Sequence, residues 1–250
     1  MKRYLFHKFN KIVSILFLFI IWYAISLTTN PIILPSPLVV LSDFIQLLSE
    51  SSFYSSTYNT LLSTWLGTFG AIFTGVFLGY LSAISRKVDN MINPLTLVIQ
   101  SAPIISWILL SLIWFDNSII PVIVVGFSAM PIVYITVRTE LFKVFDEYKE
   151  FIKIYHLKGL KLFKNILLPA IFISLKSSIR IVTELALKIS VMAEVISNAT
   201  GGLGEGLNNF WINVETSKVI AITLGLIIIT TINVKIVNRI LIFFLGKYQW

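Results

Sequence analysis

The sequence has no cysteine and only two histidines. Disulfides, thiolate metal sites and cysteine nucleophiles are therefore excluded, and His7 and His156, far apart and without clustered carboxylates, make no metal site. Charge is also scarce: 13% of the residues are Asp, Glu, Lys or Arg against 56% hydrophobic, and the mean hydropathy is +0.87. So little polar surface cannot coat a water-soluble globule, and lipid must cover what water cannot. No Gly-x4-Gly-Lys-Ser/Thr occurs, which removes phosphate-loop ATP hydrolysis from this chain. Nor do a nucleophile, a base and an orienting acid converge in sequence, so catalysis has no support.

What the chain does have is long apolar runs, near residues 10–28, 58–84, 91–115, 118–137, 169–196 and 218–245. A span needs about 20 apolar residues, so about six transmembrane helices are expected, in a single membrane domain over residues 1–250. The runs are continuous and interrupted by Gly, Ser and Pro, as packed membrane helices are; short alternating segments of a β-barrel are missing. Met1-Lys2-Arg3 before an apolar stretch resembles a signal peptide, but Ile12 to Leu27 is long and no small-x-small site ends it. It is read as a retained first span.

The distribution of basic residues sets the expected topology. With the amino terminus in the cytoplasm, Lys2, Arg3, Lys8 and Lys11, the Arg86-Lys87 corner, the bases of residues 138–164, and Lys235, Arg239 and Lys247 all lie inside. Only Lys218 falls at the outer face, whereas Asp43, Glu50, Asp116, Glu205 and Glu215 are outside. The positive-inside rule is then met at each loop, and both termini are expected to be cytoplasmic. The net charge of +8 is thus topology information, and no nucleic-acid partner is required.

Two outer segments exceed a tight turn. Leu34-Pro35-Ser36-Pro37 fixes an extended entry, after which Leu38, Leu41, Phe44, Ile45, Leu47 and Leu48 recur at helical spacing and predict an amphipathic surface helix. Gly201-Gly202-Leu203-Gly204-Glu205-Gly206 has neither the spacing nor the context of a phosphate-binding loop and is read as a loop with positive backbone dihedrals.

The longest inside segment, Arg138 to Leu168, spaces Phe142, Phe145, Tyr148, Ile152 and Tyr155 three and four apart among charged neighbours. That pattern predicts a helix pair whose apolar face meets either a protein partner or the membrane surface. Here the chain resembles the transmembrane subunits of bacterial binding-protein-dependent ABC importers. Their cytoplasmic signature is Glu-Ala-Ala, three residues, Gly, nine residues, Ile-x-Leu-Pro. Anchored on Ile166-Leu167-Leu168-Pro169, that spacing puts Glu150 on the acid, Phe151 and Ile152 on the two Ala positions, and His156 on the Gly; Gly159 follows three residues late. Leu34-Pro35-Ser36-Pro37, Arg86-Lys87, Pro103, Trp114, Pro169-Ala170, Arg180, Lys188, Ala193-Glu194 and Gly202-Leu203-Gly204, in that order, are similar to the nitrate/sulfonate/taurine branch.

The fifth run carries Lys176, Arg180, Glu184 and Lys188, each four residues after the last, and then Glu194. Steps of four drift by about 40°, so the four form one slanting stripe. A charge at mid-membrane costs about 2.5–3.5 kcal/mol or more, so the stripe should not face lipid. It either borders a translocation path or dimer seam, with Glu184 paired to Arg180 or Lys188, or it consists of snorkelling bases and a helix-surface pair.

The resemblance implies an all-α type I ABC importer permease fold in a bacterial cytoplasmic membrane, with a second permease subunit, identical or similar. It also implies a cytoplasmic ABC ATPase dimer carrying the ATP and Mg, and an external substrate-binding protein. Glu150, Phe151, Ile152, Tyr155, His156, Gly159 and Pro169 would belong to the ATPase-docking loop, and Arg180, Glu184, Lys188 and Glu194 to the path or seam. The solute would be small and polar, nitrate-, sulfonate- or taurine-like or a related organic compound, moved by alternating access. An ATP-independent carrier or channel, and a non-transporting scaffold, are the competing readings; the absence of an internal repeat speaks against the carrier.

Overall fold

The structure is a computed structural model that describes the backbone of residues 2–245 and the side chains of residues 13–240. Every regular element among the described residues is a helix. Two compact units are distinguished, Met1–Ser55 with Gly206–Ile228, and Ser56–Glu205 with Ile229–Trp250.

In the first unit, α1 (Lys2–Thr28) is followed by a turn in which the Asn30 side-chain oxygen accepts from the Ile32 N–H at 2.9 Å. The expected surface helix is α2, Pro37–Ser49. Ser36 caps it, accepting from the Val39 N–H at 3.4 Å, and Pro37 at the first position needs no amide partner. The Trp22 indole donates to the Pro35 carbonyl at 3.2 Å and holds the entry against α1. Its buried edge is Pro37, Val40 and Leu47, whereas Leu38, Leu41, Ile45 and Leu48 face outward. The apolar stripe is present, but only Leu47 of its members is buried; in a membrane protein, outward apolar residues meet lipid or a partner.

The second unit is built around α6 (Ile120–Glu147) and α9 (Leu168–Ser197), its most extensive helix pair. Val133, Val137 and Leu141 of α6 pack with Ala170, Ile171 and Val182 of α9 in one cluster, and Val124 and Val125 with Ala186 and Ile189 in another. Helix α3 (Ser51–Ile84) approaches α6 through glycine: a β-carbon on Gly67 would lie 2.6 Å from the Val122 carbonyl, and one on Gly75 2.7 Å from Val133 Cβ. Backbones this close are the usual means of packing helices where no hydrophobic effect drives them together.

The segment expected as one span over 91–115 is two helices, α4 (Arg86–Ser101) and α5 (Ile104–Trp114), bent by 99°. Pro103 lacks an amide proton and holds Ala102 extended at ψ 137°, so the helix cannot continue through it. The run at 118–137 continues as α6 to Glu147, because charged residues on a solvated face do not stop a helix. After α7 (Lys149–Ile154) and α8 (Gly159–Leu162), a π-helical turn, Phe163–Leu167, leads into α9. The chain ends with α10 (Leu203–Ile212) and α11 (Thr216–Leu245).

Four described segments are long and apolar enough to cross a membrane: Ser51–Ile84, Ile120–Glu147, Gly159–Ser197 and Thr216–Ile240. The bent α4–α5 pair makes up to five. The first expected span, 10–28, begins among residues whose side chains are outside the described set; its described part, Val13–Thr28, is apolar but shorter.

Candidate functional site

The loop between α6 and α9 exposes a cluster of apolar side chains. Phe151 lies 4.5 Å from Tyr155 and 6.4 Å from Tyr148, ring centre to ring centre, and Ile154 and Leu160 are 70% and 85% exposed. Glu150, in the first turn of α7, is exposed beside them, whereas Ile152 is half-buried. An apolar patch on a charged solvated loop has the composition of a contact surface.

The backbone of this loop accounts for His156. Helix α7 is capped by Tyr155, the Leu157 N–H donates to the Ile152 carbonyl at 3.0 Å, and the His156 N–H donates to the Lys153 carbonyl at 3.3 Å. Those two bonds define a Schellman motif, whose first residue beyond the cap must be left-handed. His156 takes that position with φ 46°. The conformation that glycine would adopt freely is thus kept by a histidine. Gly159, φ 55°, adds a second left-handed residue at the start of α8. Pro169 is buried in the first turn of α9, after the π-helical turn.

A second cluster at the α3–α4 corner has no counterpart in the sequence-based reading. Arg138 of α6 grips buried Asp89 of α4 with two prongs, Nε to Oδ1 and Nη2 to Oδ2, the latter at 2.7 Å. The Tyr134 hydroxyl donates to the same carboxylate at 3.5 Å and lies 3.1 Å from the Ser82 hydroxyl. Arg86 and Arg138 both stand over the Phe142 ring, at 5.4 and 4.9 Å. Arg86 and Phe142, with Lys143 and Asp146, border an open cleft of about 820 Å³. The signal available in the sequence was an isolated acid three residues after Arg86, with no indication of which base it meets.

On α9, Lys176, Arg180 and Lys188 are exposed and Glu184 is half-exposed, so the expected stripe exists and faces out of its own unit. Arg180 Nε donates to Glu184 at 3.2 Å. The opposite side of the helix, with Val182, Thr183, Ala186 and Leu187, is buried.

Glu194 does not share the stripe's face. It is 2% exposed, and its carboxylate accepts from the Thr60 hydroxyl of α3 and from the Gly204 N–H, each at 2.9 Å. Thr60 Oγ1 in turn accepts from the Leu203 N–H at 2.9 Å, so acid and hydroxyl together satisfy the first amides of α10. Asn59 donates to the Gly201 carbonyl at 2.8 Å, and Glu205 accepts from the Gly201 N–H. Within the Gly-rich run only Gly201, φ 83°, has a positive φ. Gly202 and Gly204 are required for space: a β-carbon on either would collide with the Glu194 side chain. The run expected to be a loop of positive dihedrals is a close-packed seat for a buried acid.

The family model for the binding-protein-dependent transport system inner membrane component matches residues 71–246. No curated protein sequence matches the chain. Among solved structures, the chain is similar to one from the MetNI methionine ABC transporter in an inward-facing conformation. The alignment covers 78% of this chain and 95% of that one at a TM-score of 0.66 and 16% identity, a likeness of fold. The broken α4–α5 pair and the α6–loop–α9 unit all lie inside the matched region, and the chain belongs to the family of binding-protein-dependent transport system inner membrane components, the permeases of ABC importers.

Proposed function

We propose that this chain is the membrane subunit of an ATP-driven importer whose ATP and Mg are bound by a partner ABC ATPase dimer. The observation that carries this reading is the exposed Tyr148–Phe151–Tyr155 cluster on a loop held in shape by the His156 turn. Phe151, Ile152 and Tyr155 bury against the ATPase, and Glu150 meets a basic residue there. Because α7 and α8 connect α6 to α9, closure of the ATPase pair pulls on the two helices that form the core of the permease unit. A second permease subunit covers the exposed Arg180–Glu184–Lys188 face, and the path for a small polar solute runs along it; the paired Arg180 and Glu184 keep its net charge low. An external binding protein selects the solute, a nitrate-, sulfonate- or taurine-like anion or zwitterion or a related small organic compound, a reading supported by the resemblance of short motifs. The membrane is a bacterial cytoplasmic one, crossed by one permease domain with both termini inside.

Co-purification tests this reading: the partner ABC ATPase should come down with the wild-type chain and be lost with Glu150→Lys or Tyr155→Asp, the membrane fold being unchanged. Reconstituted uptake should stop when that ATPase cannot hydrolyse ATP. Uptake that persists without nucleotide would refute it.

A further inference from the structure

Between α3, α9 and α11 the second unit encloses a cavity of about 160 Å³. Its walls are apolar, with Trp65, Phe69, Ile179 and Val237 prominent, and no charged residue lines it. Asn233 of α11 also lines it; this residue is 5% exposed, and its side-chain Nδ2 has no hydrogen-bond partner among the described residues. A buried amide left unpaired is costly, so a free donor at a cavity wall is a reason to look for an acceptor in the cavity.

The other polar groups that line the cavity are Thr64, Thr68 and Thr183. The Thr64 and Thr183 hydroxyls donate to the carbonyls of Thr60 and Ile179 on their own helices, both at 2.7 Å, and none of the three accepts from the Asn233 amide. Size and depth restrict the occupant further. An apolar cavity of about 150 Å³ takes one benzene-sized molecule. Asn233 stands about 26 Å along α11 from its first residue at 1.5 Å per residue, two residues before Lys235, and a lipid acyl tail reaching the cavity carries no acceptor for it. A charged molecule would be buried without a counter-ion. A wider groove of about 560 Å³ shares Trp65, Phe69 and Asn233 and gives a route of entry.

We propose that this cavity is a binding site for a small neutral molecule, one ring or a short chain in size, that carries a single hydrogen-bond acceptor for the Asn233 amide. It is separate from the exposed α9 stripe, from which it differs in having no charge.

The test uses the full chain in phosphatidylcholine nanodiscs and two near-isosteric probes observed by 19F NMR. These are 4-fluoroacetophenone, which has a carbonyl oxygen, and 4-fluoro-α-methylstyrene, which has a methylene in its place. Saturable binding of both is expected, with the ketone favoured about two- to tenfold, the range of one buried hydrogen bond. Asn233→Leu should abolish the preference while the styrene still binds, and Thr183→Phe, which fills the cavity, should abolish both. Titrations indistinguishable from those of empty nanodiscs, equal affinity of the two probes for the wild-type chain, or a ketone preference that survives Asn233→Leu would each overturn the proposal.

Discussion

The hydroxyl of Thr60 on α3 bridges the Glu194 carboxylate of α9 and the Leu203 N–H of α10, donating to one and accepting from the other at 2.9 Å each. One side chain thereby ties α3 to two helices that lie more than a hundred residues later in the chain. Thr60→Val keeps the shape but leaves a buried amide without an acceptor and a buried carboxylate short of a donor. A loss of about 1–3 kcal/mol is expected, measured as a lowered thermal unfolding midpoint in detergent; Thr60→Ser should retain most of the stability.

Gly204→Ala tests the same clasp sterically. The added methyl meets the Glu194 side chain and lies 2.8 Å from the Val191 carbonyl, where backbone cannot give way easily. Overpacking of this kind costs about 1–3 kcal/mol. Because Gly70 has open space where a β-carbon would go, Gly70→Ala in α3 is the control and should be neutral or slightly stabilising.

For the loop, His156→Gly should relieve the left-handed strain, worth about 1 kcal/mol, and His156→Val should add to it. Hydrogen exchange reads this locally: the Leu157 amide, bonded to the Ile152 carbonyl, should exchange more slowly in the glycine variant and faster in the valine one.

The Asp89–Arg138 pair should behave as a coupled unit. Its acid is buried, with a side-chain exposure of 8%, so Asp89→Asn alone strands the guanidinium at a cost of about 3 kcal/mol. Combining it with Arg138→Met should recover a substantial part, and a double-mutant cycle on unfolding midpoints measures the coupling. The exposed Arg180–Glu184 pair should differ: Glu184→Gln is expected to change stability by less than about 0.5 kcal/mol while lowering reconstituted uptake.

Much of the helical fold was legible in the sequence because apolar run length and caps such as Ser36-Pro37 are local signals. The α4–α5 bend was not. A proline inside an apolar run can leave a helix continuous, as Pro94 in α4 and Pro131 in α6 do, so Pro103 does not by itself announce a break. The length of α6 was also missed: the helical spacing of Phe142 and Phe145 reads as a separate cytoplasmic helix until Asp89 and the α3–α4 corner are placed beside Arg138. At the site, the stripe from Lys176 to Lys188 follows from periodicity alone. The inward turn of Glu194 does not, because glycines at 202 and 204 state that something approaches closely without stating what. His156 illustrates the converse: the residue departs from the family signature, yet the backbone bonds around it preserve the turn.

Because the chain has no cysteine, a single one at position 155 is a unique reporter of the docking loop. Tyr155→Cys, 64% exposed in the native residue, should react rapidly with a maleimide in the purified permease and be protected once the partner ATPase is bound, with protection lost in the added background of Glu150→Lys. Equal labelling rates with and without the ATPase would contradict docking at this loop and, with it, the ATP-driven mechanism proposed for the subunit.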